Sequence, residues 1–378
     1  MSNVMLFPQN YLDSATLVAS SYSSQKTDFP AANAYDFQRR GKVWRSNGYF
    51  EITAANKGIV LQEVDGVNQT VNIAEGSYAS DALFFAAVKT ALDSAAGTAA
   101  YTVARDTATN KIKITSNGGG GAILKLMCSN VAFTAADVLG FSATDKTGAL
   151  TYTADLLRIH TSEFLSWDFG ASVDPEGFFL IGPRNRSLKI SPSATITLMG
   201  NETDVWTAPS YSEVIPYTDY VLGLVRSGGL HTSALRYWRL KIVDRDNTFG
   251  YVEVGIAFLG PATTFTQGSI QFPLSKTFVD PSSRQLSTSG HPTVVKQDMT
   301  SQIRFEWWGL TKEEKESLDD IYEEVGSFSP MFFHLDPDAV YSSNAFKNLY
   351  YARFEGEPDT ALISPNVFTC NMNIREEV

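Results

Sequence analysis

Residues 51 to 155 alternate apolar and polar positions in several short runs, including EITAANKGIVLQEV, AAYTVARD and NKIKITSN. A period of two is typical of strands that bury one face. One stretch between these runs follows a helical period instead, with Ser80 as the expected N-cap and Gly97 as the expected end. The apolar stripe that we expect this helix to bury consists of Leu83, Phe84, Ala87, Val88 and Leu92. The pattern therefore predicts a small α+β module.

Short β-strands replace this pattern between residues 156 and 261. Runs such as GFFLIGP, ATITLMG and RYWRLKIVD are rich in aromatic and β-branched residues and are separated by Gly, Pro and Asn. Many short strands at such spacing indicate a β-sandwich or a jelly roll. We therefore predict a mainly β fold, in which residues 156 to 261 form a β-sandwich or jelly roll.

The last part of the chain, residues 262 to 378, is predicted to be β-rich with one helix at residues 311 to 325. Thr311 is the expected N-cap, and Glu314 is placed to complete a capping box. Gly326 is expected to end the helix. The apolar stripe of this helix is Leu318, Ile321, Tyr322 and Val325.

Length and composition fit a globular protein with more than one core. The chain has 378 residues, and a single hydrophobic core usually stops growing at about 250 to 300 residues. Hydrophobic residues make up 43% and charged residues 19% of the chain, which is ordinary for a globular protein. No apolar run is long enough to cross a bilayer, and the N-terminal MSNVMLFPQNYLDS lacks the pattern of a signal peptide. We expect no membrane span.

The formal net charge is −11, which argues against a nucleic-acid-binding protein. Such proteins cluster Lys and Arg to neutralise phosphates. The dense basic run of this sequence is Arg39, Arg40, Lys42 and Arg45. Four cations in an acidic chain are more typical of exposed or ion-paired side chains than of a nucleic-acid-binding surface.

Four segments together resemble the discoidin, or galactose-binding-like, family: LVASSYSSQKTDFPAANAYDFQRRGKVWRS, FLSWDFGASVDPEGFFLIG, SATITLMGNETDVWTAP and RYWRLKIVDRDNTFGYVEVGIAFLG. The matching residues are Ala19, Ser20, Ser21, Pro30, Ala31, Asn33, Ala34, Asp36, Trp44, Ser46, Asp168, Gly170, Arg236, Tyr237, Trp238, Arg239 and Leu240. The resemblance implies a discontinuous jelly roll built from residues 1 to 50 and 156 to 261. In the family a short loop joins the Trp-x-Ser segment to the Asp-Leu-Gly strand, whereas about 120 residues separate them in this chain. Residues 51 to 155 are therefore predicted to be an insertion, which a fold tolerates where chain ends lie close together.

Two further segments resemble parts of bacteriophage virion proteins. The runs GSYASDALFFAAVKTALDSA and DVLGFSATDKTGALTYTAD are similar to a module that recurs in tailed-bacteriophage virions. Residues 262 to 378 resemble the short β-domain with which distal-tail and minor tail proteins build rings. These resemblances imply a structural protein of a tail tip or baseplate, located in the virion and assembled in the host cytoplasm. The implied partners are further copies in a ring and the tube, hub and tape-measure proteins.

The sequence offers little support for catalysis. His160, His231, His291 and His334 stand in none of the spacings used by metal or histidine-based catalytic sites. A metal trio of His334 with Asp336 and Asp338 competes with an ordinary Asp-Pro-Asp turn, which we prefer. The many carboxylates of residues 311 to 325 lie on one amphipathic helix, as a solvated face would. We expect no enzymatic activity, no catalytic residue, no cofactor and no metal site.

Cys128 and Cys370 are too few for a disulfide framework, and we expect both to pack as small hydrophobic residues.

Ligand binding by the jelly-roll loops is the alternative function. The loops at residues 35 to 45, 201 to 206 and 211 to 217 would form the rim of the jelly roll. Arg39, Trp206 and Tyr211 are the candidates for contact with a host cell-surface glycan. The same residue types are enriched in protein interfaces, so subunit contact remains the competing interpretation.

Some members of the discoidin family hold a calcium ion near the start of the jelly roll, and the candidate ligands in this chain are Asp28 and Asp36.

Overall fold

The computed structural model describes residues 4–15, 21–35, 42–63, 66–95, 100–118, 124–159, 162–182, 188–218, 221–245, 247–267, 269–280, 282–286, 292–295, 299–335 and 349–377. Strands account for 45% and helices for 13% of the structure, and the sheets are antiparallel. The prediction of a mainly β chain is therefore confirmed.

Short strands dominate the described residues, and α-helices interrupt them at a few places. The first third contains β1 (Val4–Phe7), β2 (Trp44–Arg45), β3 (Phe50–Ile52), β4 (Gly58–Gln62), β5 (Gln69–Asn72), β6 (Gly76–Tyr78), α1 (Asp81–Asp93), β7 (Tyr101–Arg105), β8 (Ile112–Ser116), β9 (Lys125–Leu126), α2 (Ala136–Leu139) and β10 (Thr151–Thr153). The middle third contains β11 (Glu163–Val173), β12 (Gly177–Ile181), β13 (Thr195–Asn201), β14 (Tyr211–Ile215), β15 (Val221–Val225), β16 (Leu235–Val243), β17 (Glu253–Val254) and β18 (Ile256–Gly260). The last third contains β19 (Thr263–Phe265), β20 (Ser269–Val279), β21 (Ser283–Leu286), β22 (Pro292–Val295), β23 (Thr300–Thr311), α3 (Lys312–Val325), β24 (Met331–His334), β25 (Leu349–Phe354), β26 (Asp359–Ser364) and β27 (Val367–Glu376).

Residues between Phe50 and Ala154 surround a hydrophobic core of their own. Helix α1 packs in this core beside short antiparallel sheets, the largest of which are β10-β8-β7 and β5-β4-β9. The predicted N-cap is confirmed, because Ser80 Oγ accepts a hydrogen bond from the Leu83 amide. The predicted end at Gly97 lies outside the described residues, and the helix ends at Asp93.

The predicted stripe of α1 is wrong at one position. Leu83 is 58% exposed, whereas Phe84 is fully buried and stacks on Phe50 with 4.0 Å between ring centroids. This stacking sets the rotation of the helix. The helix therefore buries Phe84, Phe85, Val88, Ala91 and Leu92 and turns Leu83 to solvent.

Two antiparallel sheets form a sandwich in the middle of the chain. The four-stranded sheet has the order β11-β16-β13-β14, and the three-stranded sheet has the order β15-β12-β18. Both sheets contribute to one core, for example through Trp167, Trp238 and Phe178. Strand β12 is buried on both faces, because Phe178 and Leu180 enter this core while Phe179 and Ile181 enter a second apolar cluster.

The C-terminal part is an eight-stranded sheet with the order β19-β1-β24-β25-β27-β23-β20, in which β26 also pairs with β27. Helix α3 packs on one face of this sheet. The predicted capping box is confirmed, because Thr311 and Glu314 exchange hydrogen bonds between side chain and backbone at 3.1 and 3.2 Å. Leu318, Ile321 and Val325 are buried as predicted, with Tyr322 packed against them.

Strand β1 belongs to this C-terminal sheet. The predicted division assigned residues 1 to 50 to the jelly roll, whereas the structure pairs Val4–Phe7 with β19 and β24. The reason lies in the run VMLF, which is apolar on both faces. Val4 and Leu6 enter the core under α3, and Met5 and Phe7 enter the cluster shared with β12.

Candidate functional site

The aromatic and polar residues at the entry of the sandwich are held inside the fold. Trp44 is fully buried, and its Nε1 donates to the Ser24 carbonyl at 3.0 Å. Asn33 Nδ2 donates to the Val43 carbonyl at 2.9 Å. Arg45 forms an ion pair with the buried Glu253 on the neighbouring strand. These contacts support the backbone at the entry of the sandwich.

Asp168 and Arg236 form a two-point ion pair. Arg236 Nε and Nη2 donate to the two carboxylate oxygens at 2.7 and 2.9 Å. The guanidinium holds the pKa of Asp168 below its ordinary value. The pair joins β11 to β16 at the register Asp168↔Tyr237, next to the irregularity that ends their regular pairing.

The three predicted ligand-binding residues have different environments. Arg39 lies outside the described residues. Tyr211 is 7% exposed, its ring centroid lies 5.5 Å from that of Trp238, and its hydroxyl donates to Glu213 at 2.9 Å. Trp206 is half-buried in the loop between β13 and β14, and its Nε1 donates to Asp204 at 2.6 Å. Trp206 is thus the predicted residue with a partly accessible ring.

A partly buried arginine lies beneath Trp206. The Arg239 guanidinium lies 4.3 Å from the Trp206 ring centroid and 4.2 Å from that of Phe164. Its Nε donates to Ser166 Oγ at 2.6 Å, and Asp204 lies 3.9 Å away. Burial lowers the pKa of Arg239 to about 10, although Asp204 acts in the opposite direction. Stacking on two aromatic rings stabilises a cation that is largely removed from water.

The ligand prediction did not include Arg239, because the sequence indicates only the face of the strand on which this side chain lies and not its neighbours. In the run RYWRLKIVD, Trp238 and Leu240 point into the sandwich core. Strict alternation then places Arg239 on the outer face of β16. The pairing of β16 with β11 and β13 brings Arg239 opposite Ser166 and Met199, and that register cannot be read from β16 alone.

A second surface lies at the margins of the C-terminal sheet. Among the described strands, β20 pairs only with β23, and β26 pairs only with β27. These two strands lie on opposite sides of the β23–β27 pair, so each presents an unpaired backbone edge. Leu362 and Ile363 on β26 are 63% and 41% exposed. Exposed apolar edge strands are typical sites for pairing with another chain.

The described chain contains no cluster of three or more His, Cys, Asp or Glu side chains that could hold a metal ion. Of the predicted metal ligands, Asp36, Asp336 and Asp338 lie outside the described residues, Asp28 is exposed, and His334 is buried in β24. The calcium alternative stays a prediction. In the part of the chain that the structure covers, no helix is both long and apolar enough to span a bilayer.

No family model matches the chain, and no curated protein matches it. The function of the chain is therefore inferred from its own residues and from the resemblances of individual segments.

Proposed function

We propose that this chain is a structural protein of a bacteriophage tail tip or baseplate that assembles into a ring. In this proposal, the two-sheet sandwich is a jelly roll of the discoidin type and residues 51 to 155 are its insertion. The C-terminal sheet is the ring-forming domain. The order of the three resemblances along the chain supports the assignment, as does a separate core for the residues between Phe50 and Ala154.

The main support for the proposal is that β20 and β26 each present an unpaired backbone edge on the C-terminal sheet. If β26 of one copy pairs with β20 of the next, the contact joins two different surfaces. Such a heterologous contact closes into a ring when the rotation between copies permits it. Pairing would also bury Leu362 and Ile363, which a monomer leaves exposed to water.

Sedimentation and negative-stain imaging of the full chain test this proposal. We expect a closed oligomer for the unaltered protein and a monomer for the double variant Leu362→Lys with Ile363→Lys, because two buried cations would oppose the contact. Val131→Lys is the matched control, since Val131 is 95% exposed on the insertion. A chain that remains monomeric at every concentration and binds no tail protein would contradict the proposal that the protein assembles into a ring.

A carbohydrate-binding host-surface adhesin is the second candidate function. The observation that favours it is the partly accessible Trp206 ring held over Arg239. Glycan-array binding that is lost in Trp206→Ala and retained in the neighbouring control Val205→Ala would support it. Tyr211 is also a predicted ligand-binding residue. Tyr211→Phe is the appropriate variant there, because truncation to Ala would open a cavity in the core.

A further inference from the structure

A pocket of about 350 Å³, lined by both polar and apolar residues, lies on the C-terminal sheet. Phe305 and Met372 enter the core beneath α3. Alternation along β23 and β27 therefore places their neighbours on the opposite face of the sheet. The polar side chains that line the pocket are Ser275, Arg304, Glu306, Glu357, Asn371 and Asn373.

The register of three strands brings these side chains together. Arg304 lies opposite Ser275 on one side and opposite Asn373 on the other. Glu306 lies opposite Asn371 in the next row. Because side chains in one row of a sheet are direct neighbours, the pocket is a product of strand pairing across about 100 residues of sequence.

Several polar groups of this pocket have little internal hydrogen bonding. Among the described residues, Arg304 forms no ion pair, and its guanidinium donates a long hydrogen bond of 3.4 Å to Gln302. The side-chain oxygen of Asn373 is buried and has no hydrogen-bond partner in the described chain. A buried polar atom without a hydrogen-bond partner destabilises the fold. The Arg304 guanidinium keeps hydrogen-bond donors that a ligand in the pocket could use.

The composition of the pocket selects the chemistry of the ligand. Arg304 can only donate hydrogen bonds, whereas Glu306 and Glu357 can only accept them when ionised. A hydroxyl group does both, so a polyhydroxyl ring can satisfy donors and acceptors that lie side by side. Two carboxylates against one guanidinium disfavour an anionic ligand.

The size of the pocket and the apolar surface near it also favour a polyhydroxyl ring as the ligand. Small-molecule pockets span about 300 to 1,000 Å³, and this pocket lies at the lower end of that range. Trp308 follows Glu306 by two residues on the same face and is 48% exposed. An exposed indole offers an apolar surface to the C–H groups of a sugar ring.

We propose that this pocket binds a neutral saccharide ring. The site differs from the Trp206 loop of the sandwich and lies on another sheet. It does not depend on the tail-tip proposal, because edge pairing of β20 and β26 extends the sheet and leaves its face open.

Saturation-transfer NMR on the full chain tests the site, with D-galactose, D-glucose and N-acetyl-D-glucosamine as neutral probes and D-glucuronic acid as the anionic probe. We expect transfer to at least one neutral probe and weaker transfer to the acid. Arg304→Met and Asn373→Leu should each weaken binding by about tenfold or more. Arg353→Met is the matched control, since Arg353 lies on the same sheet outside the pocket and pairs with Glu377 at 2.9 Å.

Four outcomes would overturn the proposal. The first is no transfer to any neutral probe, and the second is tighter binding of D-glucuronic acid. The third is unchanged binding in both pocket variants. The fourth is binding that Trp206→Ala abolishes and Arg304→Met leaves intact, which would assign the saccharide to the sandwich loops. Glu357→Gln replaces an exposed carboxylate between β25 and β26 and keeps the test valid if a strand variant misfolds.

Discussion

Phe7 and Phe179 meet edge to face, with 4.9 Å between their ring centroids and an interplanar angle of 88°. Phe7 belongs to the C-terminal sheet and Phe179 to the sandwich, so this contact joins the two parts of the molecule. Phe258 and Phe332 complete the cluster from the same two sheets. A Cβ on Gly177 would approach the Phe7 ring to 2.5 Å, which shows how closely the sheets pack at this point.

Phe7→Ala should therefore lower the free energy of unfolding by about 3 to 5 kcal/mol, because it removes a fully buried ring and leaves a cavity between two sheets. Urea unfolding followed by circular dichroism measures the change. Phe328→Ala is the control, since Phe328 is 75% exposed and its loss should cost within about 0.5 kcal/mol. Equal effects of the two substitutions would show that the cluster does not couple the sheets.

Strand β1 illustrates what the sequence could and could not predict. The run VMLF predicts burial on both faces, but nothing local states that its partners are β19 and β24, which follow more than 250 residues later. Helix α3 was predictable in detail because its cap, stripe and end lie within sixteen residues. Local signals thus define elements, whereas long-range pairing defines sheets.

The candidate sites were likewise predictable only where the signal is local in the sequence. Trp206 could be recognised as a loop aromatic from the sequence. The Arg239 stack and the Arg304 pocket could not, because each needs residues from three or more separate segments.

Glu314 makes a testable structural contribution beyond the capping box. Its carboxylate accepts from the Thr311 amide and also from the Thr266 and Gln267 amides at 2.7 and 2.9 Å. Glu314→Ala should therefore cost about 2 kcal/mol of unfolding free energy, more than the ~1 kcal/mol of a simple cap. Glu313→Ala on the exposed side of the same turn is the matched control. A loss no larger than that of Thr311→Ala would exclude a role in holding the loop before β20.

Both cysteines should be unreactive in the folded chain. Burial raises the pKa of Cys128 to about 11 and that of Cys370 to about 12, and only the thiolate reacts readily with a disulfide reagent. We expect no colour from Ellman's reagent at pH 8 until denaturant is added, and then two thiols. Val131→Cys is the positive control, because position 131 is 95% exposed and should react at once. Rapid labelling of the unaltered folded chain would contradict the burial of both side chains.

Asp155 should make the region of residues 51 to 155 sensitive to acid. Burial acts to raise the pKa of Asp155, but hydrogen bonds from Lys146 and Ser142 outweigh it and lower the pKa to about 2. A carboxyl whose pKa is lower in the folded than in the unfolded state stabilises the fold above its ordinary pKa, here 3.8. That contribution is present at pH 5 and is lost as the pH falls through the folded value.

Asp155→Asn should therefore destabilise the chain at pH 5 and have progressively less effect between about pH 4 and pH 2. The side chain is 35% exposed, so solvent screening limits the loss to about 1 kcal/mol. Urea unfolding of the full chain at several pH values measures it, with Asp28→Asn at an exposed turn as the control. A pH-independent difference between Asp155→Asn and the unaltered chain would show that the lost hydrogen bonds, rather than the charge, account for the destabilisation.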